Sequence, residues 1–139
     1  MFYFRPETDI TKVDTVYHWK NNYKWANKGK DFTIEPDPTW HHFGVYEGGG
    51  QGIYEGGEFH GYITLKWLGE NNFEIHIGLL PSIYGKSLTM GHYFLEFLSN
   101  LIPDSLLLAP VREDNKLAQR FVRKLGFIPI GYNIYSRSI

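Results

Sequence analysis

The sequence predicts a mixed α/β fold, one domain over residues 1–139 with helices packed on a mostly antiparallel sheet. Three observations carry this. Residues 61–80 hold two stretches of period two around a turn, residues 87–102 and 115–125 hold stripes of helical period, and a wholly apolar run at 106–111 separates those stripes. With 139 residues and 42% hydrophobic side chains, the chain can bury one core but not two.

Phe2-Tyr3-Phe4 opens a strand that Pro6 is expected to end. Thr8 or Asp9 caps a helix running to about Tyr23, with Ile10, Val13, Val16 and Tyr17 on one face. Asn27 to Thr39, closed by Pro36-Asp37-Pro38, has no sustained period and reads as a surface connection. His42 to Tyr46 is a short aromatic strand. The similar pentads Val45-Tyr46-Glu47-Gly48-Gly49 and Ile53-Tyr54-Glu55-Gly56-Gly57 read as strand ends entering turns, since two copies are too few for a solenoid. Gly61 to Leu68 alternates Ile63, Leu65 and Trp67 against Tyr62, Thr64 and Lys66. Gly69 to Asn72 turns the chain, and Phe73 to Leu80 returns until Pro81 stops it.

Ser87 to Ile102 sets Met90, Phe94, Phe97, Leu98 and Leu101 on one side of a helix, ended by Pro103. Leu106 to Val111 is expected to be a strand buried on both faces. Asp114 or Asn115 caps the last helix, whose apolar stripe is Leu117, Ala118, Phe121, Val122 and Leu125. Lys116, Arg120, Arg123 and Lys124 face the other way, and Gly126 is the C-terminal stop. Phe127 to Ile134 is the final strand.

Composition excludes several classes. The chain has no cysteine, so neither a disulfide framework nor a thiolate metal site is available. A formal net charge of −1 is not the broad basic field of a nucleic-acid binder. The N-terminus meets polar sequence at once and no apolar run approaches the ~18 residues of a membrane span. The expectation is a cytoplasmic domain without nucleic-acid or membrane partners. His41 and His42, adjacent on a strand, point to opposite faces, and His18, His60 and His92 show no ligand spacing, so no metal is expected.

The junction most informative for chemistry is Pro81-Ser82-Ile83-Tyr84-Gly85-Lys86-Ser87-Leu88-Thr89, between a strand and a helix. A loop entering a helix presents unpaired N–H groups and the positive end of the helix dipole, which suits a phosphate. Gly85 permits close approach of a ligand, and Lys86 adds charge. An ordinary loop explains the segment equally well. Gly85-Lys86-Ser87 is not a nucleotide P-loop, because that motif needs glycine where Leu80 stands.

Downstream, Asn115 and Ala118 followed by Lys124-Leu125-Gly126-Phe127 resemble the Asn-x-x-Ala and closing Lys-x-Gly-Phe of the last helix in the Gcn5-related N-acetyltransferases. Pro81-x-x-x-Gly85-Lys86 is similar to that superfamily's acetyl-CoA pyrophosphate loop, and Phe4-Arg5-Pro6-Glu7-Thr8 to its first strand. The resemblance covers nearly the whole chain and implies a mostly antiparallel central sheet flanked by helices on both faces. It implies direct acetyl transfer from acetyl-CoA, as cosubstrate, to a primary amine of a small molecule, peptide or protein. The implied cofactor contacts are Ile77, Leu79 and Leu80 for the pantetheine arm and Tyr84, Gly85, Lys86, Ser87, Leu88 and Thr89 for the pyrophosphate, with Asn115 from the last helix. Tyr84, Ser87 and Thr89 depart from the family's Arg or Gln and two small residues, which bears on cofactor affinity. Val122 stands where many members carry a tyrosine as general acid.

An acetyl transfer also needs a base for the amine's proton, usually acting through water. Strand alternation puts Glu74 and His76 on one face, opposite Phe73, Ile75, Ile77 and Leu79. The pair reads either as that base or as a hydrogen-bonded couple serving only the fold. A second functional reading is a non-catalytic module of the same fold with a protein partner, favoured by Tyr84, Ser87, Thr89 and Val122. The short chain and Glu74-x-His76 also resemble, diffusely, small acetyltransferase-like proteins of tailed bacteriophages, which implies head assembly or a virion component in a host cytoplasm.

Overall fold

The computed structural model describes residues 1–17, 37–48 and 57–139. The end of the first predicted helix, with Trp19 and Tyr23, the connection before residue 37, and most of the second glycine-rich pentad lie outside the described residues. In chain order the elements are β1 (Phe2–Glu7), α1 (Ile10–Tyr17), β2 (Trp40–Glu47), β3 (Glu58–Gly69) and β4 (Asn72–Leu79). A 3-10 turn (Pro81–Ile83) follows, then α2 (Ser87–Leu101), β5 (Leu106–Pro110), α3 (Lys116–Lys124), β6 (Ile128–Gly131) and β7 (Ile134–Ser138). The strands form a seven-stranded sheet in the order β1-β2-β3-β4-β5-β7-β6. β1 with β2, β5 with β7 and β6 with β7 are antiparallel, whereas β4 and β5 are parallel. This is the mixed, mostly antiparallel sheet the sequence predicts.

By its contacts the chain divides into two compact units, Met1–Thr64 with Ile77–Tyr84, and Leu65–His76 with Gly85–Ile139. In the first unit Pro6 does not end β1 but pairs with Phe43 inside it. Among the described residues β1 is an edge strand, where a proline is tolerated if its nitrogen faces away from the neighbouring strand. Asp9 caps α1, its Oδ1 accepting from the Thr11 N–H at 3.0 Å. Val13, Val16 and Tyr17 of α1 pack with Tyr62, and Ile10, Trp40, Phe59 and Leu80 close the cluster. Both faces of β3 are covered here: Tyr62 and Thr64 are as buried as Ile63. Trp67, which the alternation groups with Ile63 and Leu65, is instead exposed and donates Nε1–H to the Glu70 carbonyl over the β3–β4 turn.

Gly61 shapes β3. Its φ of +132° is closed to side-chain-bearing residues, and a Cβ there would collide with the Gly78 carbonyl oxygen and come within 2.9 Å of the Leu79 Cα. The neighbouring His60 carbonyl accepts the Leu80 N–H at 2.8 Å. Phe59 and Tyr62 thereby reach one face, ring centroids 5.0 Å apart, although they are three residues apart in a strand.

In the second unit α2 buries Met90, Gly91, Phe94, Leu95 and Leu98, while Leu101, expected on the same stripe, is half-exposed. Gly91 lets α3 approach: a Cβ there would meet the Leu125 methyls at 2.8 and 2.9 Å. Leu107 and Ala109 of β5 are buried but Leu106 and Leu108 only partly, so the strand is not covered equally on both faces. In α3 Val122 and Leu125 reach the core, whereas Leu117, one position into the helix, is 75% exposed. The expected final strand is two strands, β6 and β7, joined at Tyr132-Asn133, where Asn133 takes φ +58°.

Candidate functional site

The β4–α2 segment carries most of the predicted site residues. Glu74 and His76 meet as alternation requires: His76 Nε2–H donates to Glu74 Oε2 at 2.6 Å, with side chains 35% and 28% exposed for His76 and Glu74. That hydrogen bond outweighs partial burial and holds the Glu74 carboxyl below the usual carboxylate range. An ionised Glu74 is a weak base but a good anchor. It fixes the imidazole so that, when neutral, its lone pair is on Nδ1.

The parallel ladder pairs Asn72–Glu74 with Leu106–Leu108. Ile77, Leu79 and Leu80 follow half-buried along the strand and just past it. Ile83 is fully buried and anchors the 3-10 turn, and Tyr84, 56% exposed, donates its N–H to the Pro81 carbonyl. Gly85 adopts φ +92°, and a Cβ on it would meet nothing within 4 Å. The glycine is therefore required by its backbone angle, not by crowding within the chain. Lys86 is the N-cap of α2 and makes no side-chain cap bond. The N–H groups of Ser87, Leu88 and Thr89 thus open a fifteen-residue helix without a side-chain acceptor at its cap, and Thr89 is exposed. A diphosphate fits this donor set, with the helix dipole and Lys86 adding positive potential.

Asn115 is accounted for by structure: its Oδ1 accepts the Ala118 N–H at 3.2 Å and caps α3. Val122, in place of the family's tyrosine, is buried, so this position offers no acid.

Sequence reasoning missed a cleft of about 480 Å³ in the first unit, lined by Glu7, Lys12, Val16, Tyr46, Phe59, Tyr62 and Leu80 among others. Its walls are aromatic, with Tyr46 and Phe59 centroids 5.4 Å apart, and its acid is Glu7, whose Oε1 accepts from the Tyr62 hydroxyl at 3.0 Å. Burial, together with the Glu7 carboxylate, drives the Tyr62 phenol well above its ordinary range and keeps it neutral. Deeper in the same unit the Tyr17 hydroxyl donates to Thr64 Oγ1, which lies 2.7 Å from His42 Nδ1. Burial lowers the His42 pKa, so that ring is neutral at physiological pH. The cleft residues lie on four elements, and only the Gly61 irregularity aligns Phe59 with Tyr62.

No family model matches the chain, and no curated protein matches it in sequence. Solved structures do match in fold. A domain from Methanocaldococcus jannaschii superposes with a TM-score of 0.76 at 16% identity, over 100% of this chain and 99% of its own. The spermidine N-acetyltransferase of Vibrio cholerae, solved with CoA and spermine, gives 0.71 at 14% identity over 99% and 92%. The aminoglycoside acetyltransferase AAC(6')-Ib, solved with coenzyme A and kanamycin, gives 0.71 at 15% over 99% and 95%. The chain therefore has the Gcn5-related N-acetyltransferase fold. The bacteriophage resemblance and the non-catalytic alternative draw no support from these neighbours. No helix among the described residues is long and apolar enough to cross a membrane.

Proposed function

We propose that the chain is an acetyl-CoA-dependent N-acetyltransferase that transfers directly to a primary amine. The observation that carries this reading is the entry to α2, where Gly85 at φ +92° leads into a helix start whose cap residue, Lys86, leaves the first N–H groups without a side-chain acceptor. The N–H groups of Gly85 to Thr89 and the Lys86 side chain take the diphosphate, with Tyr84, whose own N–H is held by the Pro81 carbonyl, beside them. The strand edge of Ile77 and Leu79, with Leu80, holds the pantetheine arm by main-chain hydrogen bonds. Asn115, its oxygen engaged in the α3 cap, offers its amide N–H groups to the cofactor.

In the transfer the amine nitrogen forms the new bond to the acetyl carbon, the carbon–sulfur bond breaks, and the thiolate leaves. A backbone N–H of β4 polarises the carbonyl oxygen. His76 Nδ1 takes the amine's proton through water, and the Glu74 carboxylate at Nε2 stabilises the imidazolium. With valine at position 122 the thiolate collects its proton from solvent.

Calorimetric titration with acetyl-CoA and CoA tests the reading. Micromolar binding, on the order of −8 kcal/mol, is expected. Absence of heat and of any melting shift up to millimolar cofactor refutes it. Given an acceptor, His76→Ala is expected to lower kcat about a hundredfold and remove the ascending limb of the pH–rate profile, with KM for acetyl-CoA unchanged. An unaltered profile retires His76 as base.

A further inference from the structure

We infer that Glu47, Glu58 and His60 form a divalent-cation site at the ends of β2 and β3 in the first unit. One carboxylate oxygen from each glutamate and the His60 Nε2 lie within 4.8 Å of one another. His60 Nε2 is 2.9 Å from Glu47 Oε1 and 4.0 Å from Glu58 Oε2. A tetrahedral ion with bonds of about 2.0–2.1 Å needs donors about 3.3 Å apart, and these two distances bracket that separation. Glu58 is the exposed member, at 60%, and can close on an ion by side-chain rotation alone, whereas the His60 side chain is fully buried.

The imidazole is fixed in the manner of a metal ligand. Its far nitrogen, Nδ1, lies 2.8 Å from the Ser82 hydroxyl, its backbone carbonyl is tied to Leu80, and the Phe2 ring lies against it at 6.2 Å. In the tautomer that donates Nδ1–H to Ser82, the Nε2 lone pair faces the two carboxylate oxygens, and a cation among them would take one ligand atom from each residue. Metal-bound histidines carry this kind of partner on the second nitrogen, which sets tautomer and ring orientation. The Gly61 irregularity supplies the third constraint: with Phe59 and Tyr62 turned to one face of β3, His60 is turned to the other. There the β1–β2 register sets Phe2 opposite Glu47. Two carboxylates and one imidazole form a mixed oxygen–nitrogen set suited to a borderline ion such as Zn²⁺ or Mn²⁺ rather than to Ca²⁺ or Mg²⁺. The three residues had no ligand spacing in the sequence because they straddle the β2–β3 connection.

The test is calorimetric titration of the untagged full chain with ZnCl2, with Co²⁺ as a visible reporter of an ordered coordination sphere. One ion per chain, with a cobalt d–d band, is expected. Glu58→Gln, an exposed change that leaves folding intact, and Glu47→Gln should each weaken binding at least about tenfold, and Ser82→Ala about tenfold through the imidazole. Failure to bind Zn²⁺ saturably up to about 0.1 mM overturns the site and leaves a Glu47–His60 hydrogen bond in its place. Equal affinity in the Glu47→Gln, Glu58→Gln double variant also overturns it, since the ion would then be held by other histidines.

Discussion

Replacing Gly61 by alanine tests the central irregularity of β3. Two costs add. Holding a side-chain-bearing residue at φ +132° costs about 1–3 kcal/mol. The new Cβ would also overlap the Gly78 carbonyl oxygen and approach the Leu79 Cα, both backbone atoms that no rotamer change can move. Relieving that overlap displaces β4, which costs about 1–3 kcal/mol by analogy with overpacked cores and stretches the Leu80 N–H···O=C His60 bond. The expected loss is about 2–6 kcal/mol, a large part of the 5–15 kcal/mol that ordinarily separates folded from unfolded domains. Urea unfolding followed by tryptophan fluorescence reads it as a lower midpoint at unchanged slope. Gly91→Ala is the internal control. Its obstruction is the ends of the Leu125 side chain, and alanine gains about 1 kcal/mol of helix propensity, so its net effect should stay within about 1 kcal/mol. A Gly61→Ala loss below about 1 kcal/mol would refute the reasoning, because it would mean that the two strands separate freely at this point.

Gly85→Ala meets open space, so it should cost about 1 kcal/mol of backbone strain and leave the fold intact while acetyl-CoA affinity, by calorimetry, falls about tenfold. Undiminished affinity would remove Gly85 from the cofactor loop. Asn115→Ala should destabilise by about 1 kcal/mol through loss of the α3 cap, and an unchanged unfolding midpoint would contradict that role. The depressed Glu74 pKa makes its stabilisation fully present above the ordinary carboxylate value of about 4 and lost as pH falls through and below it. Glu74→Gln should therefore flatten the decline of the urea midpoint with pH in that window, by under about 1 kcal/mol because the pair is partly solvated. Parallel pH curves for parent and variant would sink that assignment.

What could be read from the sequence was what depends on neighbours in the chain. The β3–β4 turn needed only Gly69 and Glu70, which take φ +103° and +51°. The Asn115 cap needed only the residue three positions on, and the Glu74–His76 pair only the two-residue repeat of a strand. What failed depended on neighbours in space or on departures from regular period. Pro6 reads as a terminator until β1 is known to be an edge. Leu117 fits an i, i+4 stripe, yet it lies in the first turn of α3, beyond the reach of the core. Gly131-Tyr132-Asn133 split the last strand because an asparagine tolerates φ +58° where most residues do not, a signal the sequence held and the apolar pattern masked. In the Glu7 cleft the Tyr62–Glu7 hydrogen bond spans 55 positions, and in the other cluster His60 reaches Glu47 across 13 and Ser82 across 22. No periodicity connects them.

The prolines have a consequence beyond their own strands. Among the described residues the sheet ends in β1 on one side and β6 on the other, and each of these strands contains one, Pro6 and Pro129. An outer strand normally offers its unpaired amides and carbonyls to any extended chain that drifts alongside, which is how aggregates and fibres begin. Each proline deletes one of those amides, and the register shift between Pro129 and Gly131 further bends the β6 rim, beside the exposed Ile128, Ile130 and Tyr132. Growth of the sheet by addition of an eighth strand is thereby opposed at both rims, and Pro129→Val should turn the more apolar rim into a nucleus for aggregation.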